Sequence, residues 1–368
     1  MYSSLKINNH LYHFSELKKA IDNGKLFNSD MEWERSLLSF LKEWMNDQEY
    51  VTGKTSGSTG TPKTIRLSKK AMIASALRTN QFFQLQKGDD VLLCLSADYI
   101  AGKMMIVRAI VGGFNLIVVP PSSLPDWEGT VAFAAMVPLQ VQALIATDEG
   151  KKQFCSIEKL LIGGSPVSEA LEKELCELPV NTYLSYGMTE TVSHIALCRM
   201  EKNGVKEKIY HALPDVIFSV DDRDCLIINA PYLQQAPFVT NDVVKLHTAT
   251  SFSWLGRWDN VINSGGIKFF PEEIERKIAG LIAPRFYITS LPHELLGQQM
   301  VLKIEDSPWS EERKNLFLQQ ATSRLTKYEI PKQILFADKF EETATGKIKR
   351  DYPLTSVNSG HLLNTPRT

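Results

Sequence analysis

Residues 55–66 read Thr-Ser-Gly-Ser-Thr-Gly-Thr-Pro-Lys-Thr-Ile-Arg, a loop of hydroxyl residues and glycines that leads into a lysine. Gly57 and Gly60 permit backbone angles and close approaches that a side chain would forbid. Hydroxyls and backbone amides donate to phosphate oxygens, and Lys63 adds a mobile positive charge. We predict a polyphosphate-binding loop; a polar linker is the alternative interpretation. The residues assigned to phosphate binding are Thr55, Ser56, Gly57, Ser58, Thr59, Gly60 and Lys63.

Composition favours a soluble protein of more than one domain. The 368 residues are 43% hydrophobic, and a chain of that length usually divides into domains. A formal net charge of −1 gives no indication of a nucleic-acid or membrane-surface partner. The five cysteines are scattered without a Cys-x-x-Cys pair, as in proteins with reduced thiols. The most apolar span, residues 104–119, is interrupted by Arg108 and two glycines, so we expect a cytoplasmic protein without a membrane span.

The periodicity of apolar residues predicts alternating strands and helices up to Tyr186. Residues 15–45 have helical spacing, and Ser68 is placed to cap a helix that runs to about Gln84. The predicted strands that follow are 91–95, 114–119, 130–136, 159–162 and 182–186, and the predicted helices between them are 100–111, 139–146 and 168–178. Nearly continuous apolar strands joined by helices indicate a parallel sheet covered on both faces.

The pattern changes after Glu190. A hairpin is predicted at 216–229 and β structure at 243–254, and then a smaller α+β unit. The elements predicted for that unit are helices 271–279 and 311–325 and strands 285–291 and 300–304. We predict a large N-terminal domain over 1–257, a small C-terminal domain over 258–354 and a flexible tail over 355–368.

Three further motifs carry chemistry, although each alone has an ordinary structural interpretation. Residues 186–190, Tyr-Gly-Met-Thr-Glu, follow a predicted strand, where α/β sheets bind ligands, and Glu190 suits Mg²⁺. Arg257 lies at the predicted domain junction, where a planar cation suits a ribose or phosphate. Residues 345–350 present Lys347 after a Thr-Gly turn, in what is otherwise a solvated basic run.

The order and spacing of these motifs resemble the adenylate-forming superfamily of acyl-CoA synthetases, adenylation domains and luciferases. The matching segments are 55–64, 186–190, 240–242, 256–275 and 343–350. The resemblance implies an α/β fold: a large N-terminal domain with mixed, mostly parallel sheets flanked by helices, and a small mobile C-terminal α+β domain. Two departures are Thr64 in place of glycine and only 54 residues before the loop, which predicts a shortened first subdomain. A third, Asp98 in place of histidine, is relative to the o-succinylbenzoate–CoA ligases.

The short form and Ser264-Gly265-Gly266 are most similar to the o-succinylbenzoate–CoA ligases of menaquinone biosynthesis. This resemblance implies ATP, Mg²⁺ and coenzyme A as co-substrates or cofactors and a carboxylic acid as substrate. Other acyl- or aryl-CoA ligases, carrier-loading enzymes and an inactive nucleotide-binding relative stay open as alternatives. The implied roles are catalysis for Lys347, Thr189, Glu190 and Lys63; nucleotide binding for Gly163, Gly164, Ser165, Tyr186, Gly187, Asp242 and Arg257; a hinge at Asp259; and the CoA path for Gly265, Gly266 and Lys268. For a substrate with two carboxylates we expect a partly basic or hydroxyl-rich acyl pocket, with Ser193, His194 and Ser165 as candidates close to the nucleotide loops. For His194, a structural hydrogen bond in the core is the favoured alternative.

Overall fold

The computed structural model describes residues 2–27, 30–54, 64–201, 207–233, 236–342 and 348–350. The helices in these ranges are α1 (Phe14–Asp22), α2 (Glu32–Met45), α3 (Lys69–Phe82), α4 (Ile100–Gly112), α5 (Pro138–Ile145), α6 (Asp148–Phe154), α7 (Glu169–Glu177), α8 (Pro271–Ile278) and α9 (Glu311–Thr322). The strands are β1 (Ser4–Ile7), β2 (His10–His13), β3 (Tyr50–Lys54), β4 (Thr64–Ser68), β5 (Asp90–Leu93), β6 (Asn115–Val118), β7 (Val131–Met136), β8 (Ile157–Ile162), β9 (Asn181–Gly187), β10 (His194–Arg199), β11 (Ile209–Ala212), β12 (Ile217–Val220), β13 (Cys225–Asn229), β14 (Phe238–Thr248), β15 (Ser251–Arg257), β16 (Ile262–Ser264), β17 (Ile267–Phe269), β18 (Phe286–His293), β19 (Gly297–Glu305) and β20 (Gln333–Ala337).

One long mixed sheet organises the chain up to β15. Its strand order is β12-β13-β14-β15-β11-β10-β9-β8-β7-β5-β6-β1-β2. The run from β9 to β1 is parallel, and the strands from β10 to β12, together with β2, pair antiparallel. The predicted mixed α/β sheet is confirmed, and its parallel half is the half that the strand–helix alternation predicts. The stretch predicted as continuous β structure at 243–254 turns back on itself between β14 and β15.

Two packed helices, α3 and α4, cover the parallel part of the sheet. The Ser68 hydroxyl caps α3 as predicted, by accepting from the Ala71 amide at 3.4 Å. Most of α4 is buried, as its apolar composition requires, and Arg108 is buried with it. Gly102 is obligatory in α4 because an added Cβ would lie 2.2 Å from the Ser96 carbonyl oxygen. These helices bring polar side chains of α3 against Arg108 in the interior.

A second sheet follows β15. Its order is β17-β16-β19-β18, with β20 pairing parallel to β19, and α8 and α9 belong to the same unit. The unit has its own apolar cluster, which includes Ile274, Leu302 and Phe317. Asn260, just after β15, donates a hydrogen bond to Glu272 of α8. A membrane-crossing helix, which needs a long apolar run, does not occur among the described residues.

Candidate nucleotide and acyl site

The carboxyl ends of the parallel neighbours β8 and β9 meet at one edge of the long sheet. The segment Gly163-Gly164-Ser165 follows β8, and Tyr186 and Gly187 end β9. Gly163 passes so close to β9 that an added Cβ would lie 2.5 Å from the Ser185 hydroxyl. Gly164 has φ +90, a conformation that glycine adopts without strain. The structure therefore brings together two of the predicted nucleotide-binding segments.

The loop 188–193 joins β9 to β10 and carries the predicted phosphate and metal ligands. Thr189 is half-buried, and Glu190 is exposed on the loop. Within the ranges that the structure covers, no lysine, arginine or histidine forms an ion pair with Glu190. A carboxylate without an ion-pair partner in those ranges fits Mg²⁺, which usually binds through one or two carboxylates together with substrate phosphates.

Tyr186 of β9 contacts Asp242 of β14, which lies beside Arg257 of β15. The Tyr186 hydroxyl donates to Asp242 Oδ2 at 2.6 Å, and Arg257 lies opposite Asp242 with Nη1 3.6 Å from Oδ1. Burial and the Asp242 carboxylate raise the pKa of Tyr186 well above its ordinary value, so it stays a donor. The Tyr186 ring packs edge-on against Phe252 at a centroid distance of 5.0 Å. Tyr186 and Arg257 thus each lie next to a different oxygen of the Asp242 carboxylate.

The predicted hinge and CoA residues lie just beyond this group. Asp259 accepts from Arg257 Nη2 at 2.9 Å, so the hinge residue is bonded to the end of β15. Gly265 and Gly266 form the turn between β16 and β17 with φ of +59 and +83. Lys268 Nζ lies 5.1 Å from the centre of the Trp258 ring, beside the predicted hinge. The roles of these residues stay predictions.

A buried cationic cluster lies beneath the loop; it contains the predicted acyl-pocket residues Ser193 and His194, and Arg108, to which no function was assigned from the sequence. Arg108 is 2% exposed, and its Nη2 donates to the Ser193 hydroxyl at 2.9 Å and lies 3.5 Å from His194 Nδ1. Among the described residues no carboxylate pairs with it. Burial lowers the pKa of Arg108 to about 9, which leaves it charged at neutral pH.

Buried polar atoms without a hydrogen-bond partner among the described residues occur on this arginine and on the neighbouring helix α3. Arg108 Nε, Asn80 Oδ1 and Ser75 Oγ are buried and have no hydrogen-bond partner in the part of the chain that the structure describes. Asn80 also donates to the Arg108 carbonyl oxygen at 3.2 Å, which places it against α4. Buried polar atoms normally find partners, so a group of unsatisfied ones indicates a place where a polar ligand or water belongs. An arginine in this position suits an anionic ligand.

His194 is held neutral in the same cluster. The Thr79 hydroxyl donates to the Ser75 carbonyl oxygen at 3.0 Å and lies 3.2 Å from His194 Nε2. This geometry fits a ring that carries its proton on Nε2 and turns the Nδ1 lone pair towards Arg108. Burial, and secondly the charge of Arg108, lower the pKa of His194 well below its ordinary value. Ser193 and His194 therefore both lie against the Arg108 guanidinium, and their role in an acyl pocket stays a prediction.

The neutral state of His194 predicts a pH dependence of stability. Below pH ~6.5 the unfolded chain binds a proton at this residue that the folded chain does not, so acid favours unfolding. Below pH ~6.5 we expect the unfolding free energy to fall with decreasing pH more steeply for the wild type than for His194→Gln. The difference between the two slopes is up to about 1.4 kcal/mol per pH unit. Urea unfolding at several pH values measures this difference. An equal acid slope in both proteins would contradict it, and His211→Gln, at an exposed position, controls for loss of a histidine.

Several predicted residues lie outside the described ranges. These are the phosphate-loop residues Thr55, Ser56, Gly57, Ser58, Thr59, Gly60 and Lys63, and the catalytic Lys347. The strands on either side of the loop, β3 and β4, pair antiparallel up to Lys54 and Thr64. The structure thus leaves the phosphate loop and Lys347 as predictions.

Comparison with known proteins defines the class of protein. A sequence profile described as AMP-binding enzyme matches residues 39–225. An acyl-CoA synthetase (AMP-forming)/AMP-acid ligase II-like protein from Dyadobacter fermentans is 34% identical, with a TM-score of 0.61 over 91% of this chain and 96% of that chain. The chain belongs to the AMP-binding enzyme family, and the predicted membership among adenylate-forming enzymes is confirmed.

Two further relatives have a more specific name. A 2-succinylbenzoate–CoA ligase from Lactococcus lactis is 24% identical over 94% of this chain and 83% of its own length. An o-succinylbenzoate CoA synthetase from Bacillus subtilis, solved with its acyl-adenylate intermediate, is 21% identical and covers 84% of this chain and 70% of that chain, with a TM-score of 0.69. The likeness to the second protein concerns the fold.

Proposed function

We propose that this chain is an AMP-forming acid–CoA ligase that acts on 2-succinylbenzoate in menaquinone biosynthesis in the cytoplasm. The observation that supports this substrate is Arg108, a buried guanidinium without a carboxylate partner among the described residues. The substrate has two carboxylates, so one reacts with ATP while the other pairs with Arg108. The hydrogen bond from Arg108 to Ser193 ties Arg108 to the loop that carries Thr189 and Glu190, which supports a single site for both carboxylates.

The proposed reaction has two halves. In the first, a carboxylate oxygen attacks the α-phosphorus of ATP, the bond to the β-phosphate oxygen breaks, and pyrophosphate leaves. In the second, the CoA sulfur attacks the acyl carbon, its proton is lost, and AMP leaves with the former carboxylate oxygen. The protein holds two anions together and offsets the charge that develops on the phosphates.

The residues divide this task between them. Glu190 holds Mg²⁺, which neutralises phosphate charge, and Thr189 donates to the α-phosphate. Asp242 accepts from the ribose hydroxyls, since its carboxylate is already oriented by Tyr186 and Arg257. The segment Gly163-Gly164-Ser165 borders the adenine. The loop that includes Ser56 and Lys63 grips the outer phosphates.

We further propose the division into a large domain over 1–257 and a small domain over 258–354, with 355–368 as a tail. Lys347 belongs to the small domain, and the groups that hold the nucleotide belong to the large one. Between the two half-reactions the small domain rotates about Asp259. The rotation takes Lys347 away from the nucleotide site and brings Gly265, Gly266 and Lys268 to it. Rigid-body movement of this kind is a common way to assemble and release a site.

A panel of carboxylic acids tests the substrate. We expect ATP-dependent pyrophosphate release with 2-succinylbenzoate to exceed that with benzoate or a fatty acid by at least about tenfold, because a site built for a polar group rejects analogues that lack it. Adding CoA to the same reactions then identifies the thiol acceptor. Equal release across the panel would contradict the proposed substrate, and release without thioester formation would favour a carrier-loading enzyme.

A further inference from the structure

Thr191 is buried within the loop 188–193 and contacts both ends of it. Its side chain is 0% exposed. The hydroxyl accepts from the Met188 amide at 2.9 Å, and it lies 2.7 Å from the Ser193 carbonyl oxygen and 3.0 Å from that of Met188. A hydroxyl has one proton, so it donates to one of these two oxygens while it accepts the amide. One side chain therefore fixes the start of the loop relative to its end.

The backbone of this loop depends on that support. Gly187 and His194 pair at its base, and an added Cβ on Gly187 would lie 2.5 Å from His194 Cα. Val192 has φ +68, an unfavourable conformation for a β-branched residue. The Val192 amide donates to the Thr189 carbonyl oxygen at 3.0 Å, and its side chain is buried in the main core. Such strain persists only where the surrounding contacts fix the conformation.

We propose that Thr191 is a positioning residue that couples the metal-binding part of the site to the acyl-binding part. On one side of its hydroxyl, the chain leads from Met188 to Glu190. On the other side lies Ser193, whose hydroxyl contacts Arg108. The inference rests on the proposed function of this site. Without the hydroxyl, neither the segment that leads to Glu190 nor Ser193 is held in position. Binding of Mg²⁺·ATP and binding of the acid therefore weaken together.

Two substitutions at Thr191 separate the hydroxyl from the shape of the side chain. Thr191→Val keeps the shape and removes the hydroxyl, and Thr191→Ser keeps the hydroxyl. We expect Thr191→Val to raise both the KM for 2-succinylbenzoate and the Mg²⁺ concentration for half-maximal ATP binding by roughly tenfold, the scale at which outer-shell partners act on a metal site. Thr191→Ser is expected to keep the wild-type KM and the wild-type Mg²⁺ dependence. The thermal shift that Mg²⁺ and ATP produce measures the second value without turnover.

Thr182→Val is the matched control. Thr182 is a buried threonine near the start of β9, where its hydroxyl donates to the Val180 carbonyl oxygen at 3.3 Å, away from the loop. We expect this variant to keep both the KM and the Mg²⁺ dependence of the wild type. If Thr191→Val changed only one of the two values, or only the melting temperature, the proposed coupling would be wrong. Failure of the proposed function is distinguishable, because the wild type itself would then release no pyrophosphate with the acid.

Discussion

Replacing Lys347 with alanine is expected to slow acyl-adenylate formation by about 10²–10³-fold, the usual scale for loss of one donor to a transition state. The resemblance to adenylate-forming enzymes places this lysine on the α-phosphate and the attacking carboxylate oxygen. The residues that follow it are anchored: Ile348 bridges to Glu342, and Arg350 donates to both Glu275 oxygens at 2.7 and 2.8 Å. Pyrophosphate release with ATP and 2-succinylbenzoate measures the first half-reaction.

The same variant is expected to form thioester normally when acyl-AMP is supplied with CoA, because the role that we propose for Lys347 concerns only the first half-reaction. Lys349→Ala is the matched control. Lys349 is a nearby lysine with an exposed side chain, and its Nζ lies 3.7 Å from Glu341 Oε2. This control variant should release pyrophosphate at nearly the wild-type rate. Full pyrophosphate release by Lys347→Ala would refute the catalytic role of Lys347. Equal loss of both half-reactions would refute its restriction to adenylation.

That two of the segments assigned to nucleotide binding meet at one sheet edge was predictable from sequence. The segments Gly163-Gly164-Ser165 and Tyr186-Gly187 each follow an apolar strand, and parallel strands present their carboxyl ends on one edge. Because β8 and β9 are neighbours, their loops meet. The antiparallel half of the sheet was harder to predict. Strands such as β11 have four residues and mixed burial, so the alternation that indicates a half-buried strand is absent there.

The buried cationic cluster could not be predicted from local patterns. Arg108 interrupts the apolar residues 104–119. In the sequence this interruption indicated only that the segment does not cross a membrane. Its hydrogen-bond partner Ser193 is 85 positions away, and Thr79 contacts His194 across 115 positions. The bond between Tyr186 and Asp242 likewise joins residues 56 positions apart. Sequence offered one weak signal, a mostly apolar helix that carries the charged residues Lys103 and Arg108, because a buried charge is costly unless a partner compensates it.

Substituting Arg108 by methionine is expected to lower kcat/KM for 2-succinylbenzoate by about 10²-fold, since truncating one partner of a buried charge pair has effects of this size. Methionine fills much of the same space without a charge. Because the wild-type guanidinium has no carboxylate partner among the described residues, we expect the unfolding free energy of the variant to equal or exceed that of the wild type. Steady-state kinetics and urea unfolding measure the two quantities.

Arg78→Met gives the opposite pattern and serves as the matched control. Arg78 lies on the neighbouring helix α3 and has a partner, because its Nη2 is 2.9 Å from Asp215 Oδ2. Its loss should lower stability while the preference for 2-succinylbenzoate over benzoate is kept. In Arg108→Met that preference should narrow, since the second carboxylate loses its cation. A variant that loses stability but keeps the preference would show that Arg108 serves the core, and the acid would then need another anchor.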